Sequence, residues 1–345
     1  MASEEKATAG VLNVGIDLGT SRSAISGSTG DQFVVDSFVG WPTDLVARKV
    51  LKRDLLIGRE ALEHRTMLDL HRPLERGLLK EGSEKDVQAA RELLRHLLSL
   101  VKRKNGRGQP VRAVVGVPAA TMRTSKQHLR NALKGIVDSL MIVSEPFAVA
   151  YGLNALLHAM IIDIGAGTTD FCVMKGRYPT DEDQRSLVVA GDSIDAHLAK
   201  LIQSKYPKAS ITVFMVREWK EKHSFVGTAP APVRVTVPVD GVPTEIDITA
   251  EMSAACESIV APIVETMLDL LSNVEPEFQA HVRKNIILAG GSGLIRNLGP
   301  TLEKALEPVG GGKVTVTEAP VFAGSDGGLA IAADAQDSDW DRLVN

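Results

Sequence analysis

The chain has 345 residues, 44% hydrophobic and 24% charged, with a formal net charge of −4. That length suggests two domains, each with its own core, in an ordinary soluble globular composition. The slight acidity gives no electrostatic footprint for nucleic acid as a main partner. Along the chain, residues 11–18 read as a strand, and the turn at 19–23 returns into a second strand at 24–26. Residues 31–73 are mixed and charged, with Trp41-Pro42 and Gly58 as breaks. Apolar positions at helical spacing predict a helix over 87–103, followed by a basic turn, RKNGRG at 103–108, read as a solvated loop. A buried strand at 113–117 closes at Pro118, a helix spans 125–134, and a short strand covers 141–143. Glu145-Pro146 then leads into a small-residue helix over 147–157.

The second half repeats the opening. A strand and turn at 160–169 continue through 171–174, and helices are predicted over 194–205 and 213–223. Residues 233–249 alternate on each side of Asp240-Gly241, a favoured hairpin turn. Thr249 is placed to cap one long helix over 254–271. An apolar strand at 285–288 opens onto AGGSG (289–293), and helices follow near 300–306 and over 324–333. Strands alternating with helices throughout argue for an α/β protein.

Several classes fall away. Cys172 and Cys256 lie far apart and outside any C-x-x-C spacing, so neither a zinc site nor a disulfide framework is indicated. No apolar stretch approaches the ~20 residues of a membrane span. The polar, acidic start MASEEKATAG is unlike a signal peptide, so a cytoplasmic protein without direct membrane insertion is expected.

Two passages carry the chemistry: VGIDLGTSRS at 14–23 and IIDIGAGTTDF at 161–171. In each, an apolar strand ends near an aspartate and runs into a turn of glycines and hydroxyl residues. Gly19, and Gly165 with Gly167, are expected to let the backbone come close to a ligand and to take positive φ. Amides in such turns cradle phosphate oxygens, and the hydroxyls of Thr20, Ser21, Thr168 and Thr169 add donors. A carboxylate beside phosphates needs an intervening cation, and Mg²⁺ bridges carboxylate to phosphate while keeping several waters. Neither turn is a Walker loop or a Rossmann fingerprint. An aspartate-glycine turn alone is more often plain turn chemistry. The combination of two such turns, the glycine turn AGGSG and the intervening Glu145 points to a polyphosphate.

The order VGIDLGTSRS, SEPFAVAYG, IIDIGAGTTDF, ILAGGSGLI, AGSDGGLAIAA resembles the five-motif nucleotide fold of the actin superfamily, from about residue 11 to 333. VREWKEKHSFVG at 216–227 and the hairpin before a helix are similar to bacterial actins of the MreB kind. The amino-terminal and 67–95 stretches resemble those members that organise magnetosomes in magnetotactic bacteria. The resemblance implies an actin-like ATPase fold: two lobes, each a mixed sheet flanked by helices with a smaller inserted subdomain, and a nucleotide in the cleft between. Lobe I would span 11–159 with an insert about 37–73, and lobe II 160–324 with an insert about 191–253. A carboxy-terminal helix and tail, 325–345, would return to lobe I.

It also implies roles. Asp17 and Asp163 would hold Mg²⁺ through water, with Asp163 also near the attacking water and Glu145 positioning or deprotonating that water. Gly19, Thr20, Ser21, Gly165, Gly167 and Thr168 would contact the phosphates of ATP. Lys220, Glu221, Gly290, Gly291 and Ser292 would line the adenosine pocket. Ala166 departs from the usual middle glycine. On their own residue types, Glu145 also suits a helix cap, and Lys220 and Glu221 an exposed charged face. The implied activity is slow ATP hydrolysis coupled to turnover of a head-to-tail homopolymer. Implied partners are other copies of the chain and accessory magnetosome or organelle-surface proteins, with filaments lying alongside the magnetosome chain. Alternatives within the fold are a division or cell-shape ATPase of the FtsA or MreB kind and a sugar-kinase-type phosphotransferase.

Overall fold

The computed structural model describes residues 10–80, 82–101 and 109–343. The basic 103–108 turn and most of the acidic start lie outside the described residues. The chain divides into two compact units, one of residues up to Asn154 together with those from Val321 on, the other Ala155–Pro320.

In the first unit, strands Leu12–Asp17, Val111–Val117 and Ser139–Ser144 run parallel and adjacent. Strands Arg22–Gly27 and Gln32–Asp36 extend the sheet antiparallel on one side, and Asp341–Arg342 closes the other. The helix Glu84–Val101 buries Ala90, Leu93, Leu94, Leu97, Leu98 and Val101, a stripe at three- and four-residue spacing, against this sheet. The opposite face is built differently. A methyl on Gly15, mid-strand, would fall 2.0 Å from the Ser325 carbonyl, so the helix Ala323–Asp334 lies directly on the strand backbone. The same helix meets the helix Glu145–Gly152 through glycine: a methyl on Gly327 would fall 1.8 Å from the Ala148 carbonyl.

Residues near 37–73 form a small sheet of their own, Val39–Pro42 between Leu56–Ile57 and Leu68–His71. Trp41-Pro42, expected as a break, lies inside a strand, with Trp41 opposite Asp69. The expected helix over 147–157 is also shorter. It ends at Gly152, Asn154 turns the chain at φ 53°, and a strand begins at Leu157.

In the second unit, Leu157–Ile164, Ile286–Ala289 and Val314–Val316 run parallel, with Thr169–Lys175 and Gln184–Leu187 antiparallel beyond them. Helices Gly191–Lys205, Thr249–Glu257, Val260–Ser272 and Leu298–Ala305 supply most of its core, including Ile194, Leu198, Met252, Ile263, Met267 and Leu302. The hairpin Arg234–Val239 with Val242–Asp247 turns at Asp240 and Gly241, with φ of 50° and 82°, as a two-residue loop matched to strand twist requires.

The single helix expected over 254–271 is two. Pro262 has no N–H to offer the Ser258 carbonyl one turn back, and the helical bonding lapses at Ser258–Ile259. Thr249 caps neither. It is the first helical residue, and its hydroxyl accepts the Val233 amide at 2.7 Å, tying helix to hairpin.

Candidate nucleotide-binding residues

The first unit places Asp17 at the carboxyl end of its strand, level with Gly116 and Ala24 on either side. The next parallel strand ends at Ser144, and Glu145 opens the helix that follows. Glu145 lies over the strand end beside Asp17: a methyl on Gly116 would meet its Cγ at 3.2 Å. The two carboxylates therefore share one edge of one sheet, outside the carboxyl ends of parallel strands, where α/β folds collect ligands. The start of the Ala323–Asp334 helix completes this edge, since a methyl on Gly324 would stand 2.9 Å from Asp17 Oδ2.

The turn after Asp17 is held mostly by groups from outside it. Ser37 Oγ donates to the Gly19 carbonyl at 2.7 Å, and Arg72 Nε donates to the Thr20 carbonyl at 2.7 Å. The hydroxyl of Thr20 is buried and accepts the Gly77 amide at 2.9 Å, while Ser21 is half-buried. Gly19 is needed for closeness, since a methyl would fall 2.2 Å from the Arg22 carbonyl, and not for the expected positive φ, which it does not have.

The second unit repeats the plan with different fastenings. Asp163, only 8% exposed, is the last residue but one of its parallel strand, level with Ala289 and opposite Asp170. Gly165 and Gly167 lack the expected positive φ as well; that conformation belongs to Gly290, at φ 74°, where a methyl would fall 2.4 Å from Asp163 Oδ1. The turn closes with the Gly165 amide donating to the Thr168 carbonyl at 2.9 Å, with Gly167 between them and Thr168 buried. Its carbonyls point into the protein. Gly165 O accepts the Gly191 amide and Ser292 Oγ, each at 3.1 Å, and Ala166 O accepts the Asp192 amide at 2.7 Å. Ala166 keeps ordinary backbone, so its methyl costs nothing. Asp170 is fully buried and accepts from the Ser186 hydroxyl.

Lys220 is not part of an exposed charged face. It is 7% exposed, its Nζ pairs with Asp195 Oδ1 at 2.9 Å and donates to the Gly191 carbonyl at 2.8 Å. Burial pushes the Asp195 carboxyl up from its ordinary value, while Lys220 and Arg217 pull it back. Glu221, by contrast, is exposed, as is Gly291, which has open space where a methyl would be.

Gly191, Asp195 and Arg217 are absent from the sequence-based set. Their signal is G-D-x-x-D at 191–195, one buried acid on a helix opposite an Arg-x-x-Lys spacing at 217–220. Among the described residues no cluster of three or more His, Cys, Asp or Glu side chains is arranged to hold a metal ion. As hard oxygen donors, the carboxylates of Asp17 and Asp163 each suit Mg²⁺, whose remaining ligands would be phosphate oxygens and water. Burial raises the thiol of Cys172 and pushes that of Cys256 up to about 11, which leaves both as packing residues.

The model of the MreB/Mbl protein family matches residues 11–339. The chain belongs to the MreB/Mbl family. Among members of that family, the chain is 38% identical over 332 residues to "Actin-like protein MamK" of Paramagnetospirillum magneticum, covering 96% of this chain and 95% of that one. The solved MamK double helical filament superimposes with a TM-score of 0.91 at 38% identity, over 94% of this chain and 99% of that chain. A non-polymerising MamK mutant bound to AMPPNP gives a TM-score of 0.71 at 37% identity, over 94% and 100% of the two chains. The fold of this MreB/Mbl protein is therefore actin-like, with a mixed sheet flanked by helices in each unit. No helix among the described residues is long and apolar enough to cross a membrane.

Proposed function

We propose that this chain is a cytoskeletal ATPase that polymerises with Mg-ATP into filaments and disassembles after hydrolysis. The observation that carries the reading is the repeated aspartate turn. Asp17 ends a parallel strand and Asp163 stands one residue from the end of another, each leads into a turn of small and hydroxyl residues, and each packs against a glycine with no room for a methyl. The likeness to a MamK filament and to a MamK mutant bound to AMPPNP supports it.

In this reading the amides and hydroxyls of the two turns hold the phosphates. Gly290, Gly291 and Ser292, with Glu221, flank the adenosine, while Lys220 fastens the Gly191 peptide. Asp17 and Asp163 would hold Mg²⁺ through water, and the ion would supply charge neutralisation at the phosphates. Glu145 accepts a hydrogen bond from the attacking water and orients it in line with the γ-phosphate, with Asp163 steadying the same water. Little covalent chemistry falls to the protein, so hydrolysis is slow and suited to timing the disassembly of a polymer. The likeness to MamK supports a role in organising magnetosomes, through accessory proteins on the organelle surface.

Phosphate release and sedimentation test this together. Glu145→Ala and Asp163→Ala are expected to lower phosphate release about a hundredfold or more while filaments still form and persist. Phosphate release at the unmodified rate in both variants contradicts the assignment.

A further inference from the structure

We propose that Asp195 is a positioning residue for the 165–168 turn, acting on it through Lys220 and the Gly191 carbonyl. The inference rests on the reading of that turn as a phosphate site.

Three segments meet where Gly191 sits. A methyl there would stand 2.9 Å from Ser292 Oγ, 3.1 Å from Lys220 Nζ and 3.2 Å from the Gly165 carbonyl, so the segments approach with no side chain between them. Both sides of that peptide are fastened. Its N–H donates to Gly165 O at 3.1 Å, and its C=O accepts from Lys220 Nζ at 2.8 Å. The adjacent Asp192 amide holds Ala166 O at 2.7 Å. The first turn of the Gly191–Lys205 helix thus fixes two consecutive carbonyls of the 165–168 turn, and with them the direction of its remaining amides.

What fixes that helix end is a buried charge cluster. Lys220 Nζ pairs with Asp195 Oδ1 at 2.9 Å, and Arg217 spans Asp195 Oδ2 at 3.4 Å and Asp192 Oδ1 at 3.2 Å. The Asp195 side chain is 2% exposed, that of Lys220 9% and that of Arg217 15%. An ammonium this buried stays only where a carboxylate compensates its lost hydration. Without Asp195, Lys220 retains a carbonyl alone, swings toward water or loses its proton, and the Gly191 carbonyl loses its donor. The constraint then passes from the Gly191 peptide to Gly165 and Ala166.

This assigns Lys220 a different part from a nucleotide ligand, and the two parts separate by experiment. Asp195→Asn and Asp195→Glu leave Lys220 in place, and Asp195→Asn combined with Lys220→Met removes both charges, which spares the fold an unpaired buried ion. Binding of Mg-ATP and of adenosine is measured for each folded variant, with amide hydrogen exchange over residues 163–169. Asp195→Asn is expected to bind Mg-ATP about tenfold more weakly, the weight of one charge-assisted hydrogen bond, with adenosine binding unchanged and faster exchange in the turn, while Asp195→Glu, which keeps the carboxylate, recovers part of the affinity. The double variant is expected to melt within about 3 °C of the parent and still bind Mg-ATP weakly. Parental Mg-ATP affinity, or an equal loss for adenosine and Mg-ATP, in Asp195→Asn or the double variant, whichever stays folded, overturns the proposal. A parent chain that binds no Mg-ATP defeats the ATPase reading instead.

Discussion

Gly290 and Asp163 form the tightest contact around the second turn. The glycine combines φ 74° with a vacant position 2.4 Å from Asp163 Oδ1 and 2.5 Å from the Ile164 carbonyl. A side chain there meets strain and a clash with backbone that cannot yield. Gly290→Ala is expected to cost about 2 kcal/mol of stability and to displace the Asp163 carboxylate. Thermal melting and Mg-ATP titration check both; a variant with parental melting and affinity would show the contact to be slack. Asp183 makes a second residue-scale case. Burial works against its ionised form, but the Thr180 amide, Lys175, the Thr180 hydroxyl and Arg177 outweigh burial and hold the carboxyl below its ordinary 3.8. Its contribution is therefore fully present above about pH 4 and is lost as pH falls through the lowered value. Asp183→Asn is expected to lower stability by about 2 kcal/mol at neutral pH, with the difference shrinking below pH 4 in acid-unfolding curves. A constant difference across that range would contradict the assignment.

Between elements, the first unit depends on how closely two helices and a strand approach. Gly15, Gly152 and Gly327 mark three backbone contacts, the tightest being the 1.8 Å that would separate a Gly327 methyl from the Ala148 carbonyl. Gly327→Ala is expected to lower the melting temperature more than Gly291→Ala, whose added methyl meets open space. Comparative melting of the two variants decides it. Such contacts mark the limit of legibility in the sequence. The small-residue run AGSDGGLAIAA suggests a helix but not that it lies against strand Leu12–Asp17, because nothing local encodes a partner so distant in the chain. The hairpin at Asp240-Gly241 was readable because its signal is local: a turn that needs left-handed backbone, flanked by alternating residues. The division of the 254–271 segment was also local, in Pro262, but the continuous apolar spacing masked it. Both aspartates and their turns were legible as a pattern. The burial of Lys220 was not, since its fastening to Asp195 and Gly191 joins helices whose apposition no spacing records. Positive φ was expected of Gly19, Gly165 and Gly167 and found at Gly290, because the close approach to Asp163 comes from the end of the neighbouring strand.

At the scale of the molecule, the two units carry the same device on unrelated side-chain fastenings. One turn is pinned by Ser37, Arg72 and Gly77, the other by Gly191, Asp192 and Ser292. On the reading proposed above for this MreB/Mbl protein, bound nucleotide would favour one subunit conformation, hydrolysis would remove that preference, and a polymer would report it. The most direct measurement is sedimentation of the purified chain, with negative-stain imaging of the pellet, with and without Mg-ATP. Filaments that pellet with Mg-ATP and are absent without it are the predicted result. A chain that stays soluble with saturating Mg-ATP at every concentration tested would contradict the account.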